Sequence, residues 1–141
     1  MTLYAESSAV LAWLFGEAAG AAVRENLLGA ELIVASDLTL VECDRVLIRA
    51  QTSGELSEAR SAGLRARLNA AAAHWNLLHV DTQVVDRVRR PFPGEPIRTL
   101  DAIHLASALV ARTALDDLAL LSLDHRIRTA ARRLGFQTLP G

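Results

Sequence analysis

At 141 residues the chain is the length of one globular domain, and with 51% apolar and 22% charged residues it carries too much core material for a disordered tail or linker. A single cysteine, Cys43, excludes an internal disulfide and a cysteine zinc cluster, so stability has to come from packing. The net charge of −1 hides an uneven division, with 6 Arg against 9 acids over residues 1–70 and 9 Arg against 7 acids over residues 71–141. All 15 basic groups are arginines, which suit bidentate phosphate contacts, although a genome bias produces the same composition.

Thr2 to Ala5 is a short apolar strand, and Ser7 begins a helix through Leu11 and Leu14, with Glu6 at the junction. A second helix spans about Ala18 to Leu28, and the β-branched core of Glu31 to Ala35 predicts a strand. Ser36 or Asp37 caps a helix from Leu38 to about Gln51, and Ser57 caps an Ala-rich helix to about His74. Asn76 to Val80 is the third strand, and Asp81 caps a helix through Arg90. Pro91, Pro93, Gly94 and Pro96 make the one clear loop. Thr99 to about Arg112 is a strongly apolar helix, Leu118 to Leu123 a strand, His125 to Leu134 a helix and Phe136 to Leu139 a last strand. Alternation of this kind predicts a single-domain α/β/α sandwich over residues 1–141, with a central, mostly parallel sheet of 4–5 strands. No basic stretch precedes the first apolar run, and Ala9 to Phe15 is far shorter than the ~20 residues of a membrane span, so a soluble cytoplasmic protein is expected.

Ligands of open parallel sheets bind beyond the carboxyl ends of the strands, which directs attention to Glu6 and Asp124. Asp101 sits in the first turn of a nearly apolar helix, and Glu42 lies within Leu40-Val41-Glu42-Cys43. Carboxylates converging to ~4 Å repel by roughly 4 kcal/mol per pair at an effective dielectric near 20, and a hard divalent cation, Mg²⁺ or Mn²⁺, relieves that repulsion. Each acid also has a local explanation. Asp124 can cap its helix, Asp101 can answer the helix dipole, Glu42 projects beside Arg45 and Arg49, and Glu6 can be a solvated strand end. Periodicity does not decide between these readings.

The residues around these acids do. Leu3-Tyr4-Ala5-Glu6-Ser7-Ser8, Ser36-Asp37-Leu38-Thr39-Leu40-Val41-Glu42, Leu100-Asp101-Ala102-Ile103-His104-Leu105 and Leu121-Ser122-Leu123-Asp124 resemble, in order and over essentially the whole chain, the PIN-domain ribonucleases, in particular the VapC-type toxins of toxin–antitoxin pairs. The chain departs from that pattern at Glu6, where the family usually has aspartate.

The resemblance implies metal-dependent hydrolysis of RNA, with the ion activating a water and stabilising charge on the phosphate. Glu6, Asp101 and Asp124 hold the ion in this reading, Glu42 binds it or positions the water, and Ser8 or Ser122 orients a carboxylate or touches phosphate. Arg98, Arg126 and Arg128 are the expected phosphate contacts. The implied partners are RNA, a VapB-type antitoxin and a second copy in a homodimer, with Val10 to Phe15 either a docking face or core. The alternative is a PIN fold weakened at Glu6 that binds RNA or protein without cutting. His104 is expected to be structural rather than a proton shuttle, Cys43 a buried filler, and Trp13 and Trp75 core or interface residues rather than base platforms. No Gly-x-x-x-x-Gly-Lys, Gly-x-Gly-x-x-Gly or Gly-x-Ser-x-Gly motif is present, and the lack of lysine disfavours a phosphorelay receiver.

Overall fold

A computed structural model describes all 141 residues. Five strands, β1 (Thr2–Ala5), β2 (Leu32–Ser36), β3 (Asn76–Leu78), β4 (Leu118–Leu121) and β5 (Thr138–Leu139), alternate with seven helices. The helices are α1 (Ser7–Phe15), α2 (Gly20–Gly29), α3 (Asp37–Thr52), α4 (Glu58–Ala72), α5 (Thr82–Val88), α6 (Thr99–Arg112) and α7 (His125–Arg133). All pairings are parallel and the sheet order is β3-β2-β1-β4-β5. The expected layered sheet is therefore present, and it is wholly parallel. The chain crosses over between β1 and β4, and that reversal of strand order opens a crevice at their carboxyl ends.

Strand alternation assigns the layers. Leu3 and Ala5 point to one face, where α1, α2, α3 and α4 cover them through Ala9, Val10, Leu14, Val23, Cys43 and Leu68. Tyr4 points to the other face and packs with Leu120, Leu105, Ala106 and Ile127 beneath α5, α6 and α7. Ser36, Ser57 and Asp81 cap α3, α4 and α5 through their side chains, and α6 runs over the expected span. Several boundaries differ: β3 ends at Leu78, β4 at Leu121 and α5 at Val88, and two further differences have steric or pairing reasons. Helix α2 starts at Gly20 because it rests on α1: a Cβ there would lie 2.5 Å from the Ala12 carbonyl oxygen. Strand β5 pairs only at Thr138 and Leu139, since Gly135, at φ +88°, turns the chain out of α7 first. Val10 and Leu14 are core, whereas Trp13 and Trp75 are half-buried beside a cavity on the α1–α4 face. Cys43 is fully buried, and burial among Glu6, Glu42 and Asp44 pushes its thiol far above the ordinary range, which makes it an inert filler. No helix is long and apolar enough to cross a membrane.

Candidate active site

The four acids stand at the carboxyl edge of the sheet, around the β1–β4 crevice, and each is held differently. Glu6 ends β1 and caps α1, with its Oε2 accepting from the Ser8 amide at 2.7 Å. Its Oε1 accepts from the Ser8 hydroxyl at 2.6 Å and the Ser122 hydroxyl at 2.5 Å, and the residue is 3% exposed. Ser8 Oγ in turn accepts from the amides of Leu123 and Asp124 at 2.9 and 3.1 Å. Glu6, Ser8 and Ser122 thus knot the end of β1 to the end of β4. A buried carboxylate is tolerated here because three charge-assisted hydrogen bonds replace its water. Ser8 and Ser122 do contact an acid of the site, and the Glu6 carboxylate, expected to face an ion, accepts two hydrogen bonds at Oε1 and one at Oε2.

Glu42 reaches the crevice from α3. Its Oε1 accepts from Ser7 Oγ at 2.7 Å and from His104 Nε2 at 2.5 Å, and no protein group bonds Oε2. His104, only 1% exposed, meets the Tyr4 hydroxyl at 2.9 Å through Nδ1. Because a carboxylate only accepts, Nε2 carries the proton toward Glu42. Partial burial alone would push the Glu42 carboxyl up, but the hydrogen bonds from His104 and Ser7, with the charge of His104, hold it below the usual range. The pairing with Arg45 or Arg49 suggested by helical projection does not form, since α3 turns Glu42 inward toward α1 and α6. Ser7 and Tyr4 escaped the sequence reading, and His104, read as structural, is indeed buried but touches an acid of the site. The Ser7-Ser8 pair was the available signal, and nothing local says which hydroxyl faces which carboxylate.

Asp101 occupies the first turn of α6 with no hydrogen bond to the protein, and its only ionic neighbour is Arg98 at 3.8 Å. Desolvation, followed by the charges of Asp124 and, more weakly, Glu42, raises its carboxyl above the ordinary range against the pull of Arg98 and His104. Asp124 caps α7 through Oδ1, which accepts from the amides of Arg126 and Ile127 at 2.9 and 3.2 Å, leaving Oδ2 free. The local capping reading of Asp124 is therefore correct, and it leaves one oxygen toward the crevice. Arg126 lines a cavity of about 600 Å³ beside Asp101, together with Arg98 and Arg133. Arg128 does not reach the crevice. Its guanidinium donates to the carbonyls of Ser122 at 2.9 Å and Pro140 at 2.8 Å, so it clamps the C-terminal strand instead of presenting itself to a phosphate.

The donor set suits a hard cation in chemistry and in charge. Glu42 Oε2, both Asp101 oxygens and Asp124 Oδ2 are oxygens without a protein donor, and Asp101 lies within the field of the other two acids with one exposed guanidinium to offset them. No three acidic, histidine or cysteine side chains stand close enough to share one ion directly. A hard ion held there would therefore keep several of its waters, as Mg²⁺ does.

An all-parallel layered sheet with carboxylates gathered at its switch point defines the class, and the PIN domain model matches residues 3–133: the chain belongs to the PIN domain family. It is 38% identical to Ribonuclease VapC46 of Mycobacterium tuberculosis (strain ATCC 25618 / H37Rv) over 137 residues, 97% of this chain and 95% of that protein. The motif-level resemblance to VapC-type members is thereby borne out. Among solved structures, FitAB bound to an IR36 DNA fragment matches with a TM-score of 0.69 at 15% identity, over 99% of this chain and 94% of that one. A toxin–antitoxin complex from Klebsiella pneumoniae matches at 0.64 and 17% identity, over 94% of both chains. At such identities the structures speak for the fold alone.

Proposed function

We propose that the chain, acting as one domain, is a Mg²⁺- or Mn²⁺-dependent endoribonuclease and the toxin of a VapBC-type pair, with RNA as substrate and a VapB-type antitoxin as partner. One observation carries the reading: Glu42, Asp101 and Asp124 present unpartnered oxygens at the β1–β4 crevice, and burial, reinforced by the charges of Asp124 and Glu42, lifts the Asp101 carboxyl. The 38% identity to a protein named as a ribonuclease supports it.

In this mechanism Asp101, Asp124 and Glu42 would hold the ion, directly or through its waters. When bound, the ion would make a coordinated water more acidic than bulk water and would set positive charge against the phosphate. Ser7 and His104 pin one oxygen of Glu42, so the other keeps a fixed aim at the ion or the attacking water. Glu6 acts as scaffold: with Ser8 it holds the Asp124 amide in place, and the methylene it has beyond aspartate lets it span to Ser122. Arg98 and Arg126 meet the phosphate from the side of the cavity. The antitoxin reading rests on the likeness to a VapC-type ribonuclease, and the homodimer on the resemblance of the sequence motifs to that family.

The test is cleavage of a mixed RNA pool by the purified protein in Mg²⁺, Mn²⁺ or chelator, beside Asp101→Asn prepared identically. Cutting that needs metal and disappears in the variant supports the reading. Cutting that survives chelator, or that Asp101→Asn retains, refutes it.

A further inference from the structure

Glu42 is aimed by a chain of hydrogen bonds that runs back into the core. Its Oε1 accepts from Ser7 Oγ and from His104 Nε2, and these two donors stand 3.3 Å apart, so they converge on the one oxygen. A serine hydroxyl swivels about its C–O bond and fixes little by itself. The imidazole is the stiff member: it is 1% exposed on α6, and its other nitrogen, Nδ1, meets the Tyr4 hydroxyl at 2.9 Å. Tyr4 reaches it from β1, 100 residues earlier, with its own ring fully buried and set across the imidazole at 77°.

Packing alone does not call for these groups. A phenol buried with Leu105, Leu120 and Ile127, and an imidazole beside it, cost stability unless their polar atoms find partners. Here the partners are reserved for one another. Ser107 and Thr39, the buried hydroxyls near Tyr4, give their protons to the carbonyls of Ile103 at 2.7 Å and Ala5 at 3.0 Å, which leaves Tyr4 as the one group bonded to Nδ1. With an anchor at each nitrogen the ring fits only one way round. Turned over, it presents carbon to the hydroxyl and carbon to the carboxylate, and both lose their partner. The chain ends at Glu42, partly exposed in the crevice, whose second oxygen has no protein donor.

Resting on the nuclease reading, we propose that Tyr4 and His104 are positioning residues for hydrolysis: the Tyr4 hydroxyl sets the imidazole, the imidazole sets Glu42, and turnover depends on a phenol buried out of reach of the substrate. An outer group that orients an acid of a metal site is typically worth ~10–100-fold in activity or metal affinity. The effect falls on turnover. A carboxylate that swings away spoils the aim at the ion or the attacking water, and leaves Arg98 and Arg126 in place to meet the phosphate. The chain also decides which substitute works at position 104. Glutamine carries its amide at about the reach of Nε2 and can donate to Glu42, whereas asparagine reaches only about as far as Nδ1 and serves Tyr4 alone.

Cleavage of an RNA oligonucleotide in the presence of metal gives kcat and KM for the wild type, His104→Gln, His104→Asn and Tyr4→Phe, each scaled to its folded fraction. We expect His104→Asn to lose about tenfold or more in kcat with KM little changed, and His104→Gln to stay within about threefold of the wild type. Tyr4→Phe removes one oxygen, keeps the ring, and falls between them. A histidine that only fills the core lowers the folded fraction in both of its variants and moves neither kcat. Equal kcat in His104→Gln and His104→Asn therefore overturns the proposal, as does an unchanged kcat in Tyr4→Phe. Metal-free protein supplies a second readout in its proton spectrum. The Nε2 proton held by Glu42 gives one far-downfield imidazole resonance, which Glu42→Ala abolishes and Tyr4→Phe broadens. A resonance indifferent to both substitutions overturns the chain of bonds. Where the wild type cuts no RNA, a resonance that responds as expected supports the positioning of Glu42 and overturns the nuclease reading instead.

Discussion

Glu6→Gln separates a scaffold role for this residue from a role as an exposed member of the acid cluster. In the wild type, three donors point at one buried carboxylate, at 2.7, 2.6 and 2.5 Å. Glutamine keeps a single accepting oxygen. Placed toward the two serine hydroxyls, it retains both bonds in weaker, neutral form, and its amide nitrogen then faces the Ser8 N–H, donor against donor. A charge-assisted bond contributes ~1.5–3 kcal/mol and a neutral one ~0.5–1.5, so two bonds weaken and one is lost. The lower cost of burying a neutral amide returns part of this, leaving a net destabilisation of about 2–3 kcal/mol. For a chain of this size that is a fall in Tm of roughly 5–10 °C. Asp101→Asn serves as the contrast: it removes a carboxylate repelled by Asp124 and Glu42 and holding no hydrogen bond. Its Tm without metal stays level or rises, by no more than the ~1 kcal/mol of a partly solvated interaction. Calorimetric unfolding of the three proteins in chelator at pH 7 makes the comparison. A rise in Tm for Glu6→Gln would refute the scaffold argument, because it is the signature of an uncompensated carboxylate.

Asp101→Asn also lowers Mn²⁺ affinity about tenfold or more by calorimetric titration, where Glu6→Gln has the smaller effect. His104→Ala removes a fully buried ring and its bonds to Tyr4 and Glu42, and costs ~2–4 kcal/mol in denaturant unfolding. Arg128→Ala lowers stability by about 1–2 kcal/mol through the freed carbonyls of Ser122 and Pro140, with the extra loss of amide protection confined to β5. Arg126→Ala leaves stability unchanged and reduces the salt dependence of RNA binding by about one ion. The exposed His79, bonded at 2.9 Å to Asp37, titrates above its ordinary 6.5 because of that hydrogen bond and the charge of Asp37. Its stabilising contribution is therefore fully present below pH 6.5 and is lost as pH rises through the raised value. Imidazole proton shifts measure this, and Asp37→Asn returns the midpoint to the ordinary range.

Much of the fold was legible because its signals are local. The spacing of apolar residues marks the span of α6, Ser57 and Asp81 announce the helices they cap, Ser36 or Asp37 announces α3, and strand–helix alternation leaves a parallel layered sheet as the natural outcome. Three of the four acids carry local signals, Glu6 at a strand end, Asp101 in a first helical turn and Asp124 at a helix cap, whereas Glu42, in the second turn of α3, stands out through the family resemblance. What the side chains do there was not legible, because it depends on contacts between residues far apart in the chain. A helical projection places Glu42 beside Arg45 and Arg49, yet the rotation of α3 against α6 delivers it to His104, 62 residues away. Arg128 sits on the same short helix as Arg126, and only the docking of the C-terminal strand decides that one is a clamp and the other faces the cavity. Glu6 is bound to Ser122 because the strand order sets β1 against β4, 116 residues on. Composition and periodicity determine which elements form and which faces they bury, since those energies are summed over near neighbours. The direction in which a carboxylate points is set by the strand order and by the helices packed against it, and these belong to the tertiary structure alone.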